Sequence, residues 1–141
     1  MVNNEVVLSQ PITFKAGTVT LEPASESAIK SIKKYLDDKP MISMLRIECH
    51  TDNSIPSKES QKLTEKRAFV VCLALIDMGV DCKRLLPVGF GALKPVANNN
   101  TPEGRASNNR ITLVNAALKG KLIGGMPADG GGTVAGDLCT Q

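Results

Sequence analysis

An aspartate and an arginine, Asp52 and Arg67, lie fifteen residues apart. Asp52 belongs to the stretch HTDN, residues 50–53, just after an alternating run that reads as a strand. Arg67 falls in a stretch with helical periodicity. A loop from the strand end to the helix can bring the two side chains face to face across a shallow groove. Such a pair suits the capture of a zwitterion. A carboxylate accepts from an ammonium, and the planar guanidinium fork holds a carboxylate through two parallel hydrogen bonds. An amino acid carries both groups on one carbon. Spacing alone leaves a second reading open: a surface salt bridge between the two, worth about 0–1 kcal/mol.

His50 is the chain's one histidine, and beside Asp52 it invites a catalytic reading. Nucleophilic catalysis needs a serine or cysteine within reach of a base, and donors for an oxyanion. Cys49 is adjacent, but successive strand residues point to opposite faces. The expectation is therefore no enzyme, with His50 hydrogen-bonded to backbone in the strand-to-loop turn. The four cysteines, Cys49, Cys72, Cys82 and Cys139, include no CxxC pair. With one histidine they do not make a closed zinc site, so neither a metal nor a cofactor is expected. Cys49 and Cys72 fall on apolar runs and read as buried free thiols. Cys82 and Cys139 read as more exposed, and a bridge between them stays open.

These residues need a scaffold. Of the 141 residues, 42% are hydrophobic and 22% charged, the balance of a soluble globular domain. Aromatics make up only 3%, and the net charge is +3, which argues against a nucleic-acid surface. No apolar run is long enough to span a membrane. The start, MVNNEVVLSQ, lacks the basic and apolar regions of a signal peptide. Ile12-Thr13-Phe14 reads as a short strand. A helix follows from Pro23 and Ser25, with Ala28, Ile29, Ile32, Tyr35 and Leu36 at helical spacing. Met44–Cys49 is a second strand. A second helix runs from Ser57 to Met78, stopped by Gly79. Arg84–Gly89 is a third strand, which Pro87 confines to an edge or a strand end. Gly91–Gly104 reads as loop, and Arg110–Asn115 as the last strand. The order β-α-β-α-β-β predicts an α+β sandwich, two helices packed on one mixed sheet. The expected organisation is an N-terminal segment, 1–10, a domain over 11–118 and a glycine-rich tail, 119–141.

The second helix is apolar on two sides. Ala68, Val71, Cys72, Leu75 and Ile76 share the face that meets the sheet, yet Phe69, Val70 and Leu73 lie on the other. Either the tail folds back over them through Leu122, Ile123 and Met126, or they form a dimer or protein-binding surface.

The run IECHTDNSIPSKESQKLTEKRAFVVCLALIDMGV, followed by RLLPVGFGALKPVANNNTPEGRASNNRITL, closely resembles the OmpA-like peptidoglycan-binding domain. That domain occurs in OmpA-type porins, peptidoglycan-associated lipoproteins and MotB-type stator proteins. The motifs are HTD (His50–Asp52), LTEKRA (Leu63–Ala68), the helix-ending Gly79, GFGALKP (Gly89–Pro95) and TPEGRASNNRI (Thr101–Ile111). The resemblance covers residues 11–116. It implies a ligand, the diaminopimelate of the peptidoglycan stem peptide, gripped by Asp52 and Arg67 through its amino and carboxylate groups. It implies further hydrogen bonds from the backbone of Thr51 and Asn53. It makes the loop around Phe14 and Lys15 a groove wall, and Asn108 and Arg110 supports. Ser60 takes the place of an asparagine often found ahead of the helix motif. Other departures are Cys49 for a glycine, Ile55-Pro56 after the TDN, Asn109 for the first arginine of an NRR motif and Lys15 for an acid.

The implied function is non-catalytic anchoring of an envelope protein to the cell wall, in the periplasm or at the outer membrane, with any export or anchor segment outside this chain. The alternative is an assembly or dimerisation module of the same fold, using Phe69, Val70 and Leu73.

Overall fold

A computed structural model of the chain describes residues 5–8, 11–123 and 131–140. Its centre is a mixed sheet in the order β1-β4-β2-β3-β6, with β5 paired to β4. These strands are β1 (Glu5–Val6), β2 (Ile42–His50), β3 (Leu85–Gly91), β4 (Arg110–Leu118), β5 (Lys121–Leu122) and β6 (Thr133–Val134). The three helices are α1 (Glu26–Asp38), α2 (Ser57–Asp77) and α3 (Pro102–Asn108). β2 runs parallel to β3 and antiparallel to β4, so the longest strands occupy the middle.

The helices form because their apolar residues recur on one stripe. α1 buries Ala28, Ile29, Ile32 and Leu36, and α2 buries Ala68, Val71, Cys72 and Leu75. Those of α1, with Val71, Cys72 and Leu75 of α2, meet Leu45, Ile47 and Leu113 from one face of the sheet in a single core. Pro56 opens α2, and Gly79, at φ +102°, takes the left-handed position that ends it. Gly89 is required by proximity: a Cβ there would stand 2.5 Å from the Glu65 backbone nitrogen on α2. Pro87 is not confined to an edge or a strand end as expected: it lies inside β3, between β2 and β6, and is tolerated there because the two-residue β6 pairs only Val88 and Gly89. Its carbonyl faces Ala135 beside the two-residue β6, and β2 lies on the other side.

The structure corrects the sequence reading of two segments. The strand expected at Ile12–Phe14 makes only an isolated bridge, Phe14 to Leu21, and the outer strand beside β4 is Glu5–Val6. The segment 12–14 is tied down instead by Ser25, whose hydroxyl accepts from the Thr13 N–H at 2.8 Å and donates to its carbonyl at 3.0 Å. The loop expected over 91–104 ends in a third helix. Thr101 caps it through the Gly104 N–H, and Pro102 occupies its first turn. This helix was hidden by its brevity and its polar, glycine-containing sequence.

The tail does fold back, through other residues than expected. β6 adds to β3, Leu138 enters the core, and Cys139 is disulfide-bonded to Cys82. A Cβ on Gly136 would lie 3.7 Å from the Phe69 ring. Phe69, Val70 and Leu73 are half-buried. Leu122 is exposed, and Met126 lies outside the described residues. Cys49 and Cys72 are buried free thiols, as expected.

Candidate functional site

At one rim of the sheet, the end of β2, the start of β4, α2 and the segment 12–17 enclose a groove of about 610 Å³. Asp52, Arg67, Phe14, Thr51 and Arg110 line it, together with Ile55, Leu63, Ala106 and Asn109. The loop after β2 carries Asp52 to one wall. α2 carries Arg67 to another.

Asp52 is positioned by a short local network. Its Oδ1 accepts from the Ser54 N–H at 2.8 Å, and its Oδ2 accepts from the Asn109 side-chain amide at 2.8 Å. The Asn109 carbonyl oxygen in turn accepts from the Asp52 N–H at 2.9 Å. Partial burial pushes the carboxyl upward. Hydrogen bonds from Ser54 and Asn109, with the charge of Arg105, outweigh that and hold it below the usual aspartate value. The group is a stable carboxylate at neutral pH.

Arg67 is almost wholly buried, at 8% exposure. Its Nε donates to the Thr18 carbonyl at 2.8 Å, and its guanidinium stands 4.8 Å from the centre of the Phe14 ring. Among the described residues it has no carboxylate within ion-pairing distance, so the simple Asp52–Arg67 salt bridge does not form. The four N–H bonds of its two terminal nitrogens make no hydrogen bond to described residues.

Other expected residues divide. Arg110 lines the groove but spends its guanidinium on the Lys94 carbonyl at 3.0 Å and, more weakly, that of Asn108. The Thr51 N–H is committed to the Gly91 carbonyl, and its buried hydroxyl has no partner, so the Thr51 N–H is not a free donor for a ligand. Asn53 and Lys15 are exposed and are not among the residues that line the groove. Ser60 faces β3, with its hydroxyl donating to the Ser57 carbonyl. Asn108 is fully buried and staples the preceding loop. It accepts from Val96 and Ala97 N–H and donates to the Ala97 carbonyl and Asn99.

Asn109 is the functional candidate that sequence reasoning passed over. In the sequence it reads only as a departure from the first arginine of the NRR motif. The signal lay in strand pairing: His50 opposes Arg110, which sets the residue before Arg110 against the loop carrying Asp52.

His50 does not hydrogen-bond backbone. Its ring stacks on Phe90 at 4.9 Å, and Nδ1 has no hydrogen-bond partner. Nε2 has only Glu48 Oε1, 3.5 Å away. Burial holds the imidazole below its ordinary value, against the pull of Glu48. Burial pushes the Cys49 thiol up to about 12, so it is no nucleophile at neutral pH.

With this geometry in view, the comparisons with known proteins agree with one another. A sequence profile of the OmpA family matches residues 13–110. The chain is 30% identical over 117 residues to the probable lipoprotein YiaD of Escherichia coli, covering 82% of this chain and 53% of that protein. It is 32% identical over 108 residues to the peptidoglycan-binding protein ArfA of Mycobacterium bovis, covering 77% of this chain and 33% of that one. The chain thus spans about half the length of the first relative and a third of the second. The crystal structure of the peptidoglycan-associated lipoprotein from Burkholderia pseudomallei superposes with a TM-score of 0.68 at 26% identity, covering 75% of this chain and 90% of that one. Fold, motif order and sequence similarity together place the chain in the OmpA family.

Proposed function

We propose that the groove binds the zwitterionic end of a diaminopimelate residue in the peptidoglycan stem peptide, and so anchors an envelope protein to the cell wall without catalysis. One observation carries this reading: Asp52 and Arg67 line a single groove, each positioned by other groups, and neither neutralises the other. Asp52 keeps lone pairs for an ammonium. Arg67 keeps both terminal nitrogens for a carboxylate, and its burial favours any partner that compensates its charge. The relatives' names, which include peptidoglycan-binding and outer-membrane proteins, support the same assignment and an envelope location. The assembly alternative would use the outer face of α2, where Phe69, Val70 and Leu73 are half-buried.

Pull-down on purified sacculi tests the reading. Wild type should sediment with them, and Asp52→Ala and Arg67→Ala should stay in solution while remaining folded. Equal sedimentation of all three would overturn it.

A further inference from the structure

The helix-facing side of the sheet holds the groove and the core. The opposite side carries a row of buried charge. Alternation along β2 places Arg46, Glu48 and His50 there, with 5%, 5% and 2% of their surfaces exposed. Arg46 Nε donates to Glu48 Oε2 at 2.6 Å, which accounts for that carboxylate. Beside the pair is a cleft of about 270 Å³, closed by Lys94 from the loop after β3, Arg110 from β4 and Glu5 from β1.

Two features of this cleft are not accounted for by the chain's own contacts. First, neither Lys94 nor Arg110 has a carboxylate within ion-pairing distance among the described residues. The Lys94 ammonium lies 4.4 Å from the centre of the Phe90 ring, while His50 stacks on the same ring. Second, His50 Nδ1 is buried in the cleft wall without a hydrogen-bond partner, and Nε2 has only Glu48 Oε1, 3.5 Å away at the limit of hydrogen-bonding distance. Buried polar atoms are rarely left so. With Arg46 offset by Glu48, two cations stand against Glu5 alone, and the local balance is positive.

We propose that this cleft is a second binding site, for a small oxyanion group: a carboxylate or a phosphate. An anion between Lys94 and Arg110 meets two positive charges, that of Arg110 offset by no carboxylate although its Nη atoms donate to the Lys94 and Asn108 carbonyls, and offers an acceptor to the imidazole N–H. Arg110 also lines the front groove, so the two sites meet at the rim of the sheet. The inference does not depend on what the front groove binds.

His50 is the one histidine of the chain, so its imidazole signals are read without overlap; it lines both the cleft and the front groove, and the Arg67→Ala arm separates the two sites. The experiment is an NMR titration of the full chain at one pH, above the ordinary histidine range, and at constant ionic strength. Inorganic phosphate is one arm, acetate another. The expected result is a saturable shift of the His50 resonances in at least one arm. The arm that saturates at lower concentration identifies the oxyanion. Arg67→Ala should leave that curve unchanged, and Lys94→Gln should weaken it about tenfold or more. Val96→Asp, at an exposed position on the cleft wall, should weaken it also, and tests the site whatever Lys94→Gln does to folding. A shift that grows linearly with concentration, or one equal in wild type and Val96→Asp, would mean an adventitious ion only and would overturn the proposal.

Discussion

Asn109 holds Asp52 from two sides, accepting its backbone N–H at 2.9 Å and donating to its carboxylate at 2.8 Å. The start of β4 thus fixes the loop after β2. The bond to Oδ2 also withdraws one lone pair in a set direction and leaves the rest of the carboxylate facing the groove. Asn109→Ala should leave the fold intact, since the residue is exposed. It should weaken ligand binding by about 1 kcal/mol, roughly fivefold, as expected for lost hydrogen bonds to a partly solvated charge. Calorimetry with a stem peptide measures this. Asn109→Asp should be worse than alanine, because it sets a second carboxylate against the first.

Phe14 acts on Arg67 through its ring face. Phe14→Leu keeps an apolar wall and loses the cation–π contact, so it should cost about 0.5–1 kcal/mol of binding. Phe14→Ala should cost more, since the guanidinium also loses its packing surface. Parallel titrations of the two variants separate these effects.

Stability should fall on acidification in two stages. Burial holds His50 below its ordinary 6.5, so below that value the unfolded chain binds a proton that the folded chain resists. Stability is then lost as pH falls from 6.5 toward the folded value. Glu48 behaves alike at lower pH. Burial raises its pKa, but His50 and Arg46 outweigh that and hold it below 4.5. Its contribution is present above 4.5 and disappears as pH falls through the folded value. Thermal melting from neutral to acid pH should show both stages, and His50→Asn should remove the first.

Two covalent or steric features should dominate stability. The Cys82–Cys139 bridge closes a loop of 57 residues, for which chain entropy predicts about 4 kcal/mol. Cys139→Ser should lower the urea midpoint and expose Phe69 as the tail loosens. Gly89→Ala should destabilise by about 1–3 kcal/mol, because the new methyl meets α2 backbone. Urea titration measures both.

The sequence revealed the scaffold wherever apolar residues kept a regular period: both long helices, the strands over Met44–Cys49 and Arg110–Asn115, and the stop at Gly79. It failed where a short element depends on tertiary partners. β1 is two residues long and is a strand only because β4 has a free edge. α3 is seven residues long and is held by its cap and by Asn108. At the site, the spacing of Asp52 and Arg67 pointed to one groove. Which neighbours hold them was not legible, because Asn109 and Thr18 are local in space and distant in sequence. His50 drew attention by its chemistry, yet packing decides its environment.

The most direct test compares two stem tripeptides that differ only at the third residue. In one it is diaminopimelate, whose side chain ends in an ammonium and a carboxylate on one carbon. In the other it is lysine, which ends in an ammonium alone. Calorimetry should show saturable binding of the first and at least about tenfold weaker binding of the second, with both Asp52→Ala and Arg67→Ala losing affinity for diaminopimelate. Equal affinity for the two peptides, or undiminished binding by Arg67→Ala, would contradict the zwitterion clamp.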